Sequence, residues 1–190
     1  MRKLHDDPKT NLLLNSYTSI ETDLEREIGL AKATRNAENI KQLESMGIRP
    51  GAGNFLCALG LLCYTEFLGS EKYNHAKMRG KGKNKRQISD NKLNFLSLFK
   101  DLGEEYRIFA EENSDQIWNY RNGFTHDYVY RGPSIVSMLK PNGLKCGVFK
   151  KDDILHFNVQ KYYEDLSSEF YRYSEFLLIG ANVSTRVYPD

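Results

Sequence analysis

Ten consecutive residues, Phe55-Leu56-Cys57-Ala58-Leu59-Gly60-Leu61-Leu62-Cys63-Tyr64, carry no charge, and the run resumes at Phe67-Leu68 after Thr65 and Glu66. A membrane span needs roughly 20 apolar residues, so this segment falls short of one. A helix that is apolar on most of its sides has to be surrounded by other elements. The segment therefore predicts the central helix of a bundle, from about Asn54 to Leu68, ended by Gly69-Ser70. The rest of the chain must supply the elements that wrap it.

At 190 residues the chain is long enough for one full core and a small appendage, and two large domains are not expected. With 40% apolar and 27% charged residues, the composition is that of an ordinary folded chain rather than a disordered one. The formal net charge of +2 indicates no class of partner, so only the distribution of charge is informative. Cys57, Cys63 and Cys146 form neither a CxxC nor a metal-binding spacing, and they are expected to be buried or reduced thiols. The stretch from Met1 to Asn11 lacks the apolar core of a signal peptide. The expectation is a cytoplasmic protein with no membrane span.

Period and punctuation order the remaining elements. Ile20, Leu24, Ile28, Leu30, Ala31, Ile40 and Leu43 mark a stripe that predicts one long helix from about Ser16 to Met46. Gly47, Pro50, Gly51 and Gly53 break it. Ser89 or Asp90 caps a helix carrying Leu93, Phe95, Leu96, Leu98, Phe99 and Leu102, which Gly103 kinks or ends. The chain continues helical from Glu104, restarting at Asn113 or Ser114. There Ile117, Tyr120, Phe124 and Tyr128 recur at steps of three and four, which defines a buried face. Between Ser134 and Phe157 the period changes, and three short strands are expected, turned at Pro141-Asn142-Gly143. Asn158 caps a closing helix to about Ile179. The predicted fold class is mainly α: one domain over 1–190, a helical bundle with a small C-terminal antiparallel β-meander inserted at 134–157 and a closing helix.

Residues 71–90 stand apart in charge. Lys72, Lys77, Arg79, Lys81, Lys83, Lys85 and Arg86 are opposed only by Glu71 and Asp90, and Gly80 and Gly82 loosen the segment. Two readings stand: a solvated connection, or a mobile electrostatic arm for phosphate backbones in which Lys81, Lys83, Lys85 and Arg86 bind RNA.

The densest chemistry lies at Arg121-Asn122-Gly123-Phe124-Thr125-His126-Asp127-Tyr128. Arginine binds phosphate as a planar fork and keeps its charge. Histidine is the side chain that exchanges protons near neutrality. Asn122 and His126 are four apart and share a helix face. In a regular α-helix Arg121 lies about 140° around from His126, and its long side chain has to swing toward it. Two such helices crossing at a two-fold axis would pair two arginines with two histidines in one groove, and Gly123 would let them approach. A homodimer is therefore expected. Against this stands a plain structural reading, in which Arg121 and His126 serve a helix end and Tyr128 is core. Glu66 is similarly open: it is exposed at the end of its helix, or it pairs with Arg121 and fixes the guanidinium.

The same octapeptide resembles the signature of the HEPN superfamily: Arg, a polar residue, and His five places after the Arg, here Arg121, Asn122 and His126. The Tyr two places after the His, Tyr128, is similar to the branch paired with nucleotidyltransferase antitoxins. The resemblance implies a helical bundle and a metal-independent endoribonuclease of a toxin or defence type, or else a non-catalytic nucleic-acid- or protein-binding module of the same fold. It implies Arg121, Asn122 and His126 as catalytic residues, no cofactor and no metal. It further implies a cognate nucleotidyltransferase as a partner that would modify Tyr128.

Overall fold

The computed structural model describes residues 8–47, 53–80, 82–127 and 132–184. The chain is mainly helical. The apolar segment forms α3 (Asn54–Tyr73), with Ala58, Leu61, Leu62 and Leu68 fully buried. Packed against it are α1 (Pro8–Ala33), α4 (Asn91–Asp101) and the closing helix α6 (Val159–Ser184), while α5 (Glu104–Asn122) lies against α4. Among the described residues no helix is long and apolar enough to cross a membrane.

Two expected boundaries are corrected. Gly69 does not end α3, which runs on to Tyr73 and is capped by Asn74 in the left-handed region. A Cβ at Gly69 would lie 2.3 Å from the Asn94 carbonyl oxygen, so the missing side chain serves the close approach of α4. The long helix expected over 16–46 is two helices, α1 and the short α2 (Ala37–Ser45). Asn36 separates them: its backbone is extended and its side chain accepts from the Glu38 amide, a local capping bond that outcompetes continuation of the helix.

The segment at 71–90 is not a loop. After α3 the chain forms a hairpin, β1 (Ala76–Arg79) and β2 (Arg86–Ser89), joined through a 3-10 turn at Gly82–Asn84. Its root is fixed by Asn94, which is fully buried. The Asn94 side chain accepts from the His75 amide at 2.7 Å and donates to the His75 carbonyl and Ser89 Oγ. Asp90 then caps α4 by accepting from the Leu93 amide.

The C-terminal strands exist as expected, but their connection is not a meander. The order is β3 (Ser134–Ser137), β5 (Ile154–Asn158), β4 (Val148–Lys151), with β4 antiparallel and β3 parallel to β5. Asp152 and Asp153 both have positive φ, the backbone that a tight hairpin between β4 and β5 requires. The link from β3 to β4 runs under the start of α6. The Met138 carbonyl accepts from the Gln160 amide, and the Gly147 amide donates to Tyr106 Oη. That anchoring carries β4 past β5 and leaves β3 on the opposite edge. Asn158 caps α6 as expected, accepting from the Lys161 amide.

An aromatic wall joins these layers behind the motif helix. Phe99 meets Tyr106 at 5.2 Å between ring centroids, Tyr106 meets Tyr162 at 5.8 Å, and Tyr162 meets Phe157 at 4.8 Å. Phe157 stacks on Tyr120, which meets Phe124, which in turn packs on Phe55 of α3. At the other end, Glu169 of α6 is 3% exposed and holds Lys72 of α3 at 2.7 Å, while Lys72 also reaches Asp101 of α4.

Candidate functional site

The buried face of α5 determines where the motif side chains point. Ile117, Tyr120 and Phe124 are buried at steps of three and four, which turns Arg121, Asn122 and His126 away from the core. Regular α geometry ends at Asn122, and Gly123–Asp127 form a single π-helical turn. In a π turn the hydrogen bonds join residues five apart instead of four. The 140° separation expected from α geometry therefore does not describe this segment, since the wider turn brings residues spaced as Arg121 and His126 are closer to one face. The Thr125 hydroxyl donates to the Arg121 carbonyl at 2.7 Å and holds the widened turn.

Arg121 is pinned from three sides. Its Nη2 lies 2.5 Å from Glu66 Oε2, with both side chains 12% exposed. Its Nη1 donates to Asn122 Oδ1 at 3.1 Å. Its guanidinium carbon sits 5.4 Å from the centroid of the Trp118 ring, within cation–π range. Glu66 thus pairs with Arg121, and the exposed alternative for this glutamate is set aside. Asn122, which the spacing put on one face with His126, accepts from the guanidinium and steadies it. The ion pair is close but misaligned. Glu66 Oε2 and Arg121 Nε are buried and have no hydrogen-bond partner among the described residues. Buried polar atoms left unpaired are costly and call for a reason.

His126 is exposed. Burial pushes the Glu66 carboxyl above its ordinary value; Arg121, a hydrogen bond with the Asn91 side chain, and the electrostatic influence of His126 pull it back. The ion pair with Arg121 is the strongest of the influences that oppose burial, and His126 is the weakest. Asn91 is the first residue of α4, directly after the hairpin.

Tyr128 and Lys81 lie outside the described residues. Lys83, Lys85 and Arg86 are exposed on the hairpin, and none of them reaches the motif through a hydrogen bond or ion pair among the described residues. Sequence reasoning missed Asn91, Trp118 and Thr125. Trp118 and Thr125 carried a signal, standing three before and four after Arg121, where side chains on a helix meet. Asn91 carried none beyond its place after a capping residue. Among the described residues no group of three or more His, Cys, Asp or Glu is placed to hold a metal ion. Comparison with known protein families, with curated proteins and with solved structures found no match.

Proposed function

We propose that this chain is a HEPN-type endoribonuclease, of a toxin or defence kind, that cleaves RNA with its own side chains as a homodimer. The observation that carries the reading is the pairing of a fixed Arg121 guanidinium, held by Glu66, with an exposed His126 imidazole on the widened turn that follows it. In the reaction the RNA 2′-oxygen bonds to the adjacent phosphorus while the bond from phosphorus to the 5′-oxygen breaks. The products are a 2′,3′-cyclic phosphate and a 5′-hydroxyl. His126 takes the 2′-hydroxyl proton, and His126 of the second protomer returns one to the departing 5′-oxygen. Arg121 holds the non-bridging oxygens as charge accumulates. Glu66 and Asn122 position Arg121. Tyr128 is the residue that a nucleotidyltransferase antitoxin would adenylylate.

A second reading, a non-catalytic RNA- or protein-binding module of the same fold, is favoured by how little of Arg121 is exposed and how fully Glu66 occupies it. One experiment separates the two. Total RNA is incubated in chelator with wild type and with His126→Ala. Cleavage by wild type, with cyclic phosphate ends, should fall about a hundredfold to ten-thousandfold in the variant. The fold should be unaffected, because His126 is exposed. Cleavage that persists in His126→Ala overturns the assignment. A wild type that binds but does not cleave supports the second reading.

A further inference from the structure

The β1–β2 hairpin carries a charge arrangement that its own stability does not call for. Residues directly opposed in an antiparallel pair present their side chains on one face, and successive residues alternate between faces. The register opposes Arg79 to Arg86 and Lys77 to Ile88, so Lys77, Arg79 and Arg86 share a face. Like charges directly opposed weaken a hairpin. Lys77 is offset by Asp90 at 3.1 Å, whereas Arg79 and Arg86 are exposed and join no carboxylate among the described residues.

The hairpin nevertheless holds the two arginines at a fixed spacing. Gly80 has φ +104°, and a Cβ there would lie 2.3 Å from the Asn84 carbonyl oxygen, so the turn is closed tightly over a residue that must be glycine. The root is clasped by Asn94. A guanidinium fork matches two phosphate oxygens, and two forks facing each other across a strand pair make a cradle for one phosphodiester. The position is also informative. Asp90 caps α4 just after β2, and α4 packs against both α3, which carries Glu66, and α5, which carries Arg121. The hairpin thus rises from the N-terminal end of the helix that packs on both site-bearing helices.

We propose that Arg79 and Arg86 form a clamp for a backbone phosphate of single-stranded RNA. Only the choice of RNA as the ligand rests on the ribonuclease reading; the clamp itself is a claim about binding. It grips backbone and not bases, so it is indifferent to sequence.

The test is fluorescence anisotropy of the full chain with labelled oligouridine RNA and with oligothymidine DNA of equal length, across a salt series. The DNA lacks the 2′-hydroxyl, so binding is read apart from cleavage. Arg79→Ser/Arg86→Ser should lower the slope of log affinity against log salt by about 0.7 on either strand, the value for one neutralised phosphate. Arg79→Lys/Arg86→Lys should restore the slope, because the charges remain, while leaving affinity below wild type, because the forks are lost. Lys32→Ser/Lys41→Ser, which removes two exposed cations from α1 and α2, should change little. The serine variant should melt no lower than wild type, since a like-charge pair has been removed. An unchanged slope in the serine variant, an equal loss in the Lys32→Ser/Lys41→Ser control, or a wild type that binds neither strand would each overturn the clamp. So would tighter binding to phosphatidylserine vesicles than to either strand at the same salt. A slope that falls as expected in a chain that cuts no RNA keeps the clamp and removes the ribonuclease.

Discussion

Glu66 stands in an energetically awkward place. It sits in the most apolar helix of the chain, opposite a guanidinium it does not align with. Because burial raises its carboxyl above the ordinary value of 4.5, the native state takes up a proton more readily than the unfolded chain. The stability contributed by protonated Glu66 is present below that value and lost as pH rises through the raised one. Glu66→Gln mimics the protonated form. Its melting temperature at neutral pH should not fall below that of wild type, and its stability should be flatter across this pH window. RNA cleavage should nevertheless drop, because Arg121 loses the carboxylate that fixes it. Melting curves over pH, read alongside cleavage rates, check both halves. A large loss of stability in Glu66→Gln at neutral pH would mean that the pair holds the fold together and does not serve a site. A group retained at a cost to stability is what a functional site leads one to expect.

Among the elements, whatever rests on a few neighbouring residues could be read from the sequence. Asp90 and Asn158 cap their helices because a side-chain oxygen needs only an amide three residues on. The buried stripe of α5 followed from spacing alone. The hairpin did not, because Ala76–Arg79 is exposed at every position and Arg86–Ser89 at all but one, so no buried face marks the strands; Asn94 of α4 holds its root. The π turn also leaves no local mark in composition. Gly69 was misread for a similar reason: a glycine that ends a helix and one that admits a neighbouring helix look alike in sequence. Gly69→Ala tests the structural reading. A Cβ there would strike the backbone of Asn94, which cannot swing aside, so the substitution should cost roughly 1–3 kcal/mol of stability by overpacking, measured by chemical denaturation. A neutral or stabilising effect would show that α3 and α4 are further apart than described.

For the whole molecule, the class of fold was legible because one apolar helix of this length forces a bundle. The strand order was not, because it depends on where the link between β3 and β4 is pinned, by Met138 and Gly147 against α6 and α5. The proposed chemistry also reaches beyond one copy, since each chain offers one His126 while the reaction moves one proton in and one out. The protein is therefore expected to sediment as a homodimer at tens of micromolar, roughly the range of ordinary self-association. A strictly monomeric chain that still cuts RNA would refute the paired site.

The aromatic wall gives the site a timing. Arg121 is held against Glu66 and His126 toward solvent because Tyr120 and Phe124 are held inward, and the surfaces that hold them include Phe157 of β5, with Tyr162 of α6 behind it. Both come late in the order of synthesis. Among the described residues β3, the first strand after the motif, pairs only with β5. A growing chain emerges at about 5–20 residues per second. The motif would thus leave the ribosome a few seconds before its backing does. On the proposed reading, the catalytic side chains stay without their backing for those seconds.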